Sequence, residues 1–180
     1  EKIGIVGESG SGKSMTARAI LGLVPHPGRV TAGRMQLVGT DLLSPDSRGW
    51  RKLRGKKAGM ILQDPKFSLN PVMRIGDQIT ETLRLHENIG RDEQRERALA
   101  ILAAVGIEDP QRVSEAYPHQ LSGGMGQRAM IAAMLVSSPD LIIADEPTSA
   151  LDVLVREQVL NLLDDLVTRH GIGLILISHD

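Results

Sequence analysis

KIGIVGESGSGKS (residues 2–14) is the stretch that decides the fold. KIGIVG is a short apolar run closed by Gly7, as expected of a strand buried on both faces. A glycine-rich loop follows, then KSMTARAILGL (13–23), whose apolar residues have helical spacing and which stops near Gly22 and Pro25. Strand, glycine loop and helix are the context that G-x-x-x-x-G-K-[ST] requires, and GESGSGKS (7–14) fits it in full. Gly7, Gly10 and Gly12 let the backbone wrap closely around phosphate oxygens with its N–H groups turned inward. Together with Ser9 and Ser11 they form the candidate phosphate cradle. Lys13 adds a point charge, and Ser14 offers a hydroxyl to Mg²⁺. The plainer alternative is a glycine-rich turn with no ligand.

Further along, LIIADE (141–146) uses four apolar residues to deliver Asp145 to the carboxyl end of a strand, where α/β sheets bind ligands. Asp145 is the second candidate Mg²⁺ ligand. Glu146 stands next to it, placed to orient or deprotonate a water. Gln63, in MILQDP, ends another predicted strand, and a neutral amide there can reach both metal and water without adding charge. His179, after LILIS, holds a similar position and can donate to a terminal phosphate. Taken singly, a polar residue at a strand end is more often structural. His26, His86, His119 and His170 read as surface or packing residues.

HQLSGGMGQR (119–128) poses a different question, because one phosphate loop suffices for one nucleotide. Ser122 is a natural N-cap, and Gly123 and Gly124 leave the first-turn N–H groups of a helix uncovered. Such a start can face an anion. It could cover the side of a nucleotide that the first loop leaves open, supplied by a second copy if the chain cannot fold it back. A tight helix start without a ligand is the alternative.

Bulk properties narrow the function. The net charge of −1 and an aromatic content of 2% oppose a nucleic-acid surface. The absence of Cys excludes disulfides and thiolate metal centres within this sequence. No apolar run is long enough to span a bilayer. RGWRKLRGKK (48–57) gathers six cations and reads as a solvated face. Residues 70–136 are mostly helical, with Asp92 a plausible N-cap for RDEQRERALAILAAVGI and Gly106 its stop. DVLVREQVLNLLDDLVTRHG reads as a helix capped by Asp152 and closed by Gly171. Strands alternating with helices on either side of a helical block imply an α/β core with a mainly parallel sheet. The core covers 1–69 and 137–180, and the block at 70–136 is a helical subdomain carrying the second glycine element.

These elements, in this order, resemble the nucleotide-binding subunit of ABC transporters: Walker A GESGSGKS, Q-loop LQDP, signature LSGGM, Walker B LIIADE, D-loop SALD and switch SHD. The resemblance runs the length of the 180 residues. It implies a P-loop ATPase binding ATP and Mg²⁺, paired head to tail with a second ABC ATPase subunit, identical or related. Each ATP would lie between one subunit's Walker A and the other's Ser122, Gly123 and Gly124. The resemblance further implies Glu146 as general base, His179 as γ-phosphate switch, Gln63 as link to transmembrane permease subunits, and Asp152 at the dimer interface. LQDPKFSLNPVMRIGDQI and YPHQLSGGM look like the dipeptide/oligopeptide/nickel importer branch, most like its peptide members. A subunit on the cytoplasmic face of the membrane, served indirectly by a solute-binding protein, is the expectation. Gly126 departs from the branch, which usually has a longer side chain there, a change that bears on the signature helix or on its partner contacts. The branch's adenine-stacking aromatic and C-terminal extension are missing from the sequence, which reads as a piece of a longer chain with reduced nucleotide affinity.

Three other readings compete. A nickel or small-solute importer ATPase shares the branch. A soluble ABC ATPase of DNA repair usually carries a coiled coil or Cys cluster where this chain has a compact block. An ATP-holding clamp without hydrolysis is opposed by Lys13, Asp145, Glu146 and His179 together.

Overall fold

In the computed structural model, residues 1–43, 47–62, 68–149 and 151–179 are described, excepting the side chains of Ser47 and Arg48. Strand β1 (Lys2–Val6) leads through the glycine loop into α1 (Lys13–Ile20). A small hairpin, β2 (Gln36–Leu37) and β3 (Thr40–Asp41), is followed by α2 (Ser47–Leu53) and β4 (Ala58–Ile61). The helical block comprises α3 (Ile75–His86), α4 (Arg91–Ala104), α5 (Pro110–Glu115), a 3₁₀ turn at Pro118–Gln120 and α6 (Gly123–Leu135). Then come β5 (Leu141–Asp145), α7 (Val153–Arg169) and β6 (Gly173–Ser178).

Four strands form one parallel sheet in the order β1-β6-β5-β4. Side chains of β5 alternate between two apolar clusters, as the two-residue period of a strand demands. Ile142 and Ala144 face the α6 and α7 side, and Ile143 faces α1. Helices therefore cover both faces of the sheet, the α/β arrangement that a mainly parallel sheet needs. The α6 and α7 side is continuous with the helical block, because the same cluster contains Ile61 and Ile142 together with Leu83, Leu102 and Val113. Burying each such Leu or Ile contributes about 1.5–3 kcal/mol.

Register brings the strand ends level. Val6 pairs with Ser178, Asp145 with Ile177, and Ile61 with Ala144. Every loop singled out at a strand end consequently leaves the same edge of the sheet.

Three local expectations change. Strand β1 is not buried on both faces: among the described residues it pairs only with β6, and Ile3 and Val6 are exposed. The N-cap of α4 is Gly90, with Asp92 in its first turn. The cation cluster is not wholly solvated, because Arg54 donates from Nε to Leu21 O (2.7 Å) and from Nη2 to Gly22 O (2.6 Å). Its guanidinium lies 4.8 Å from the Trp50 ring centroid, and burial lowers its pKa from the usual arginine value. Arg54 thus satisfies carbonyls that the end of α1 leaves without helical partners. A side chain at Gly22 would collide with Trp50.

Candidate functional site

The phosphate loop is shaped by its glycines. Gly10 (φ 83°) and Gly12 (φ 92°) sit in the left-handed region, and Gly12 is the N-cap of α1. A Cβ on either would meet no atom within 4 Å, so the space beside the loop is open. At Gly7, by contrast, a Cβ would lie 3.1 Å from Ser11 Oγ. Glu8, Ser9, Gly10, Ser11 and Gly12 are exposed along this face. Lys13 folds back under the loop, 9% exposed, and donates from Nζ to Gly7 O (2.7 Å) and Glu8 O (2.8 Å). Its ammonium therefore sits inside the curve of the loop with two carbonyls as neutral partners. An anionic oxygen entering the loop would be a stronger acceptor for it.

One helical step on, Ser14 Oγ donates to Asp145 Oδ1 at 2.9 Å. The fully buried Ile142, Ile143 and Ala144 anchor β5, and Asp145 at its end is 6% exposed. Hydroxyl and carboxylate oxygens are hard-cation donors, so Ser14 and Asp145 fit Mg²⁺. Among the described residues no group of three or more His, Cys, Asp and Glu could hold a metal. A cation here would need ligands beyond these two, phosphate oxygens among them, as Mg²⁺ at a phosphate has.

Glu146 has left-handed backbone (φ 47°) although it is not glycine. That conformation costs roughly 1–2 kcal/mol. It is held from both sides: Glu146 N donates to Ile177 O at 3.0 Å, and Ser149 N and Oγ both donate to Glu146 O at 3.2 Å. His179 Nδ1 lies 3.0 Å from Glu146 Oε1, an ion pair whenever the imidazole is protonated. The two residues line a cavity of about 210 Å³ with Thr148, Ser149, Arg156 and Ile177.

At the start of α6, Ser122 is the N-cap and its Oγ accepts from Met125 N at 3.3 Å. A Cβ on Gly124 would lie 3.1 Å from Val155 Cγ1, and one on Gly123 would lie 3.9 Å from Leu151 Cδ2. The glycines therefore let α6 approach the start of α7. There Asp152, as expected, caps the helix by accepting from Val155 N at 3.0 Å. Helix α6 runs unbroken through Gly126, which is buried.

Two groups of the expected residues thus meet: Gly7, Lys13, Ser14 and Asp145 in one, and Glu146 and His179 in the other. Gly123 and Gly124 lie against Leu151 and Val155, which flank Asp152, in a separate turn-to-turn contact. Gln63 lies outside the described residues, as does Ala150 of SALD. The sequence reading passed over Gln127, whose side chain is fully buried and donates from Nε2 to Pro147 O. A signal was present: Gln127 shares a helical face with Met130 and Ile131, a polar residue where an apolar one belongs.

The family model described as "ABC transporter" matches residues 1–149. Dipeptide transport ATP-binding protein DppD of Haemophilus influenzae is 51% identical over 180 residues, 100% of this chain and 54% of that protein. Oligopeptide transport ATP-binding protein AppD of Bacillus subtilis is 47% identical over 181 residues, 100% of this chain and 55% of that protein. The chain therefore spans about half the length of the curated relatives it matches. The dimeric structure of the ATP-binding cassette MJ0796 in a post-hydrolysis state, bound to ADP and Pi, is 32% identical with a TM-score of 0.84. That match covers 100% of this chain and 75% of the other.

Proposed function

The chain belongs to the ABC transporter family, and from that premise we propose that it is the ATP-hydrolysing part of a subunit that powers peptide import. The observation that carries the reading is the Ser14–Asp145 hydrogen bond, which joins the phosphate loop to the strand end bearing Glu146. Dipeptide and oligopeptide transport relatives, 51% and 47% identical, support peptide as the cargo class.

In this reading the N–H groups of Gly7 to Ser14 and the Lys13 ammonium bind the ATP phosphates. Ser14 and Asp145 hold Mg²⁺, with Gln63 a further ligand. Bound there, Mg²⁺ neutralises charge on the β- and γ-phosphate oxygens. Glu146 orients the attacking water and accepts its proton, while His179 donates to the γ-phosphate. Water attacks the terminal phosphorus, the bond to the bridging oxygen breaks, and ADP and phosphate leave. Ser122, Gly123 and Gly124 close over the ATP of a second ABC ATPase subunit, with Asp152 at the contact between the two. The block at 70–136 is a subdomain carrying that signature, and Gln63 passes the movement to transmembrane permease subunits fed by a solute-binding protein. The subunit works at the cytoplasmic face of the membrane. None of its described helices is long and apolar enough to cross one.

The test is the full-length protein and its Glu146→Gln variant. Phosphate release should be Mg²⁺-dependent and fall about 10²–10⁴-fold in the variant. Light scattering should show the variant pairing when Mg-ATP is added, and Ser122→Arg should abolish that pairing. Hydrolysis that survives Glu146→Gln would remove the base assignment. A variant that binds ATP but never pairs, alone or with a related subunit, would remove the shared site.

A further inference from the structure

Gln127 stands on the signature helix α6 with a fully buried side chain. Its Nε2 donates to the carbonyl oxygen of Pro147. Its Oε1, equally buried, has no hydrogen-bond partner among the described residues. The orientation of the amide follows from chemistry: Pro147 O can only accept, so the atom facing it must be the NH₂.

Leaving Oε1 unsatisfied is a cost, since a buried acceptor without a partner loses its hydration for nothing. A methionine of similar size would fill the same space without that cost, among Ala129, Met130 and Ile131 of the same apolar helix. What methionine would lose is the grip on Pro147, and Pro147 directly follows Glu146.

That carbonyl belongs to a segment under constraint. Glu146 is held at φ 47° through Ile177 O on one side and Ser149 on the other. Proline has no N–H, so the Pro147 backbone can be gripped by hydrogen bonding only at its carbonyl. The Gln127 amide holds that carbonyl. It ties the segment to a helix packed on the sheet, independently of the ties to β6 and Ser149.

We infer that Gln127 is the positioning residue for Glu146: through Pro147 it fixes the direction in which the Glu146 carboxylate projects. The same helix begins at Ser122, so the element that closes over the second subunit's ATP also holds the base acting on the first. The inference rests on the reading of Glu146 as base.

The experiment compares full-length parent, Gln127→Met, Glu146→Gln and the double variant. Gln127→Met should bind Mg-ATP with Kd within about twofold of the parent and lower kcat about 10–100-fold with KM little changed, the size of loss a small misplacement of a catalytic group produces. In the Glu146→Gln background the same change should have no further effect on hydrolysis, because the group it positions is already gone. An equal loss in both backgrounds, or parental kcat in Gln127→Met, would overturn the inference. Hydrogen exchange at the Glu146 and Ser149 amides gives a readout independent of turnover. Faster exchange there in Gln127→Met, with β5 amides unchanged, supports the tether, and unchanged exchange at both overturns it. If the parent itself hydrolyses nothing, the hydrolase reading fails on that result alone, and the exchange still decides the tether.

Discussion

Glycines shape the starts of α1, capped by Gly12, and of α6, where Gly123 and Gly124 follow the Ser122 cap, and the two starts are built on different principles. At α1 the cap is a left-handed glycine with no capping side chain, and the next residue is a lysine folded into the turn. At α6 the cap is a serine with extended backbone that satisfies an N–H with its own hydroxyl. No charged residue lies between Leu121 and Gln127. The first start supplies its own counter-charge and its own open concavity, so it can take a phosphate group alone. The second has neutral donors only and uses its glycines to pack close to α7. It can complete a site whose charge is balanced elsewhere, which is what a partner's nucleotide would require.

Removing the counter-charge breaks the comparison most strongly. Lys13→Ala should weaken Mg-ATP binding about 10- to 100-fold, the worth of a hydrogen bond to a charged group. Isothermal titration would check it, and no substitution at Ser122 should do the same to the unpaired subunit. The glycines separate the two starts next. Gly12→Ala keeps its φ at 92° and meets nothing, so its cost is conformational, about 1–2 kcal/mol in urea unfolding. Gly124→Ala gains about 1 kcal/mol of helix propensity and loses part of it against Val155, 3.1 Å away. Its net change should stay within about 0.5 kcal/mol. If the two alanine variants destabilised equally, the distinction between a strained cap and a packing glycine would be lost. Ser122→Ala falls between the two glycine substitutions, about 1 kcal/mol for the lost cap, read as a shift in the thermal midpoint.

How much of this was readable beforehand depends on whether a residue's partner is local. The phosphate loop, the strand ends at Asp145 and Glu146, and the caps at Ser122 and Asp152 follow from short spacings. Parallel pairing then levels the strand ends without further information. The misses are residues whose partners lie far along the chain. Arg54 looked like one cation among six, and only the fold brings it to the carbonyls of Leu21 and Gly22. Nothing near Ile3 indicates that, among the described residues, β1 pairs on one side only. Asp92 has the right chemistry for a cap, but the chain turns two residues earlier, at Gly90. Gln127 follows the signature by two residues, but its partner Pro147 lies on the far side of a strand, so no short spacing marks it.

The pairing of β1 with β6 has a consequence for how the protein is made. Lys2 lies beside Leu174, about 170 residues further along the chain. The strand that leads into the phosphate loop therefore cannot pair with β6 until about 170 further residues have been translated. At roughly 5–20 residues per second that interval is on the order of ten to thirty seconds. Through it, the KIGIV segment waits without its β6 partner, and nascent-chain helpers have a long window to act there.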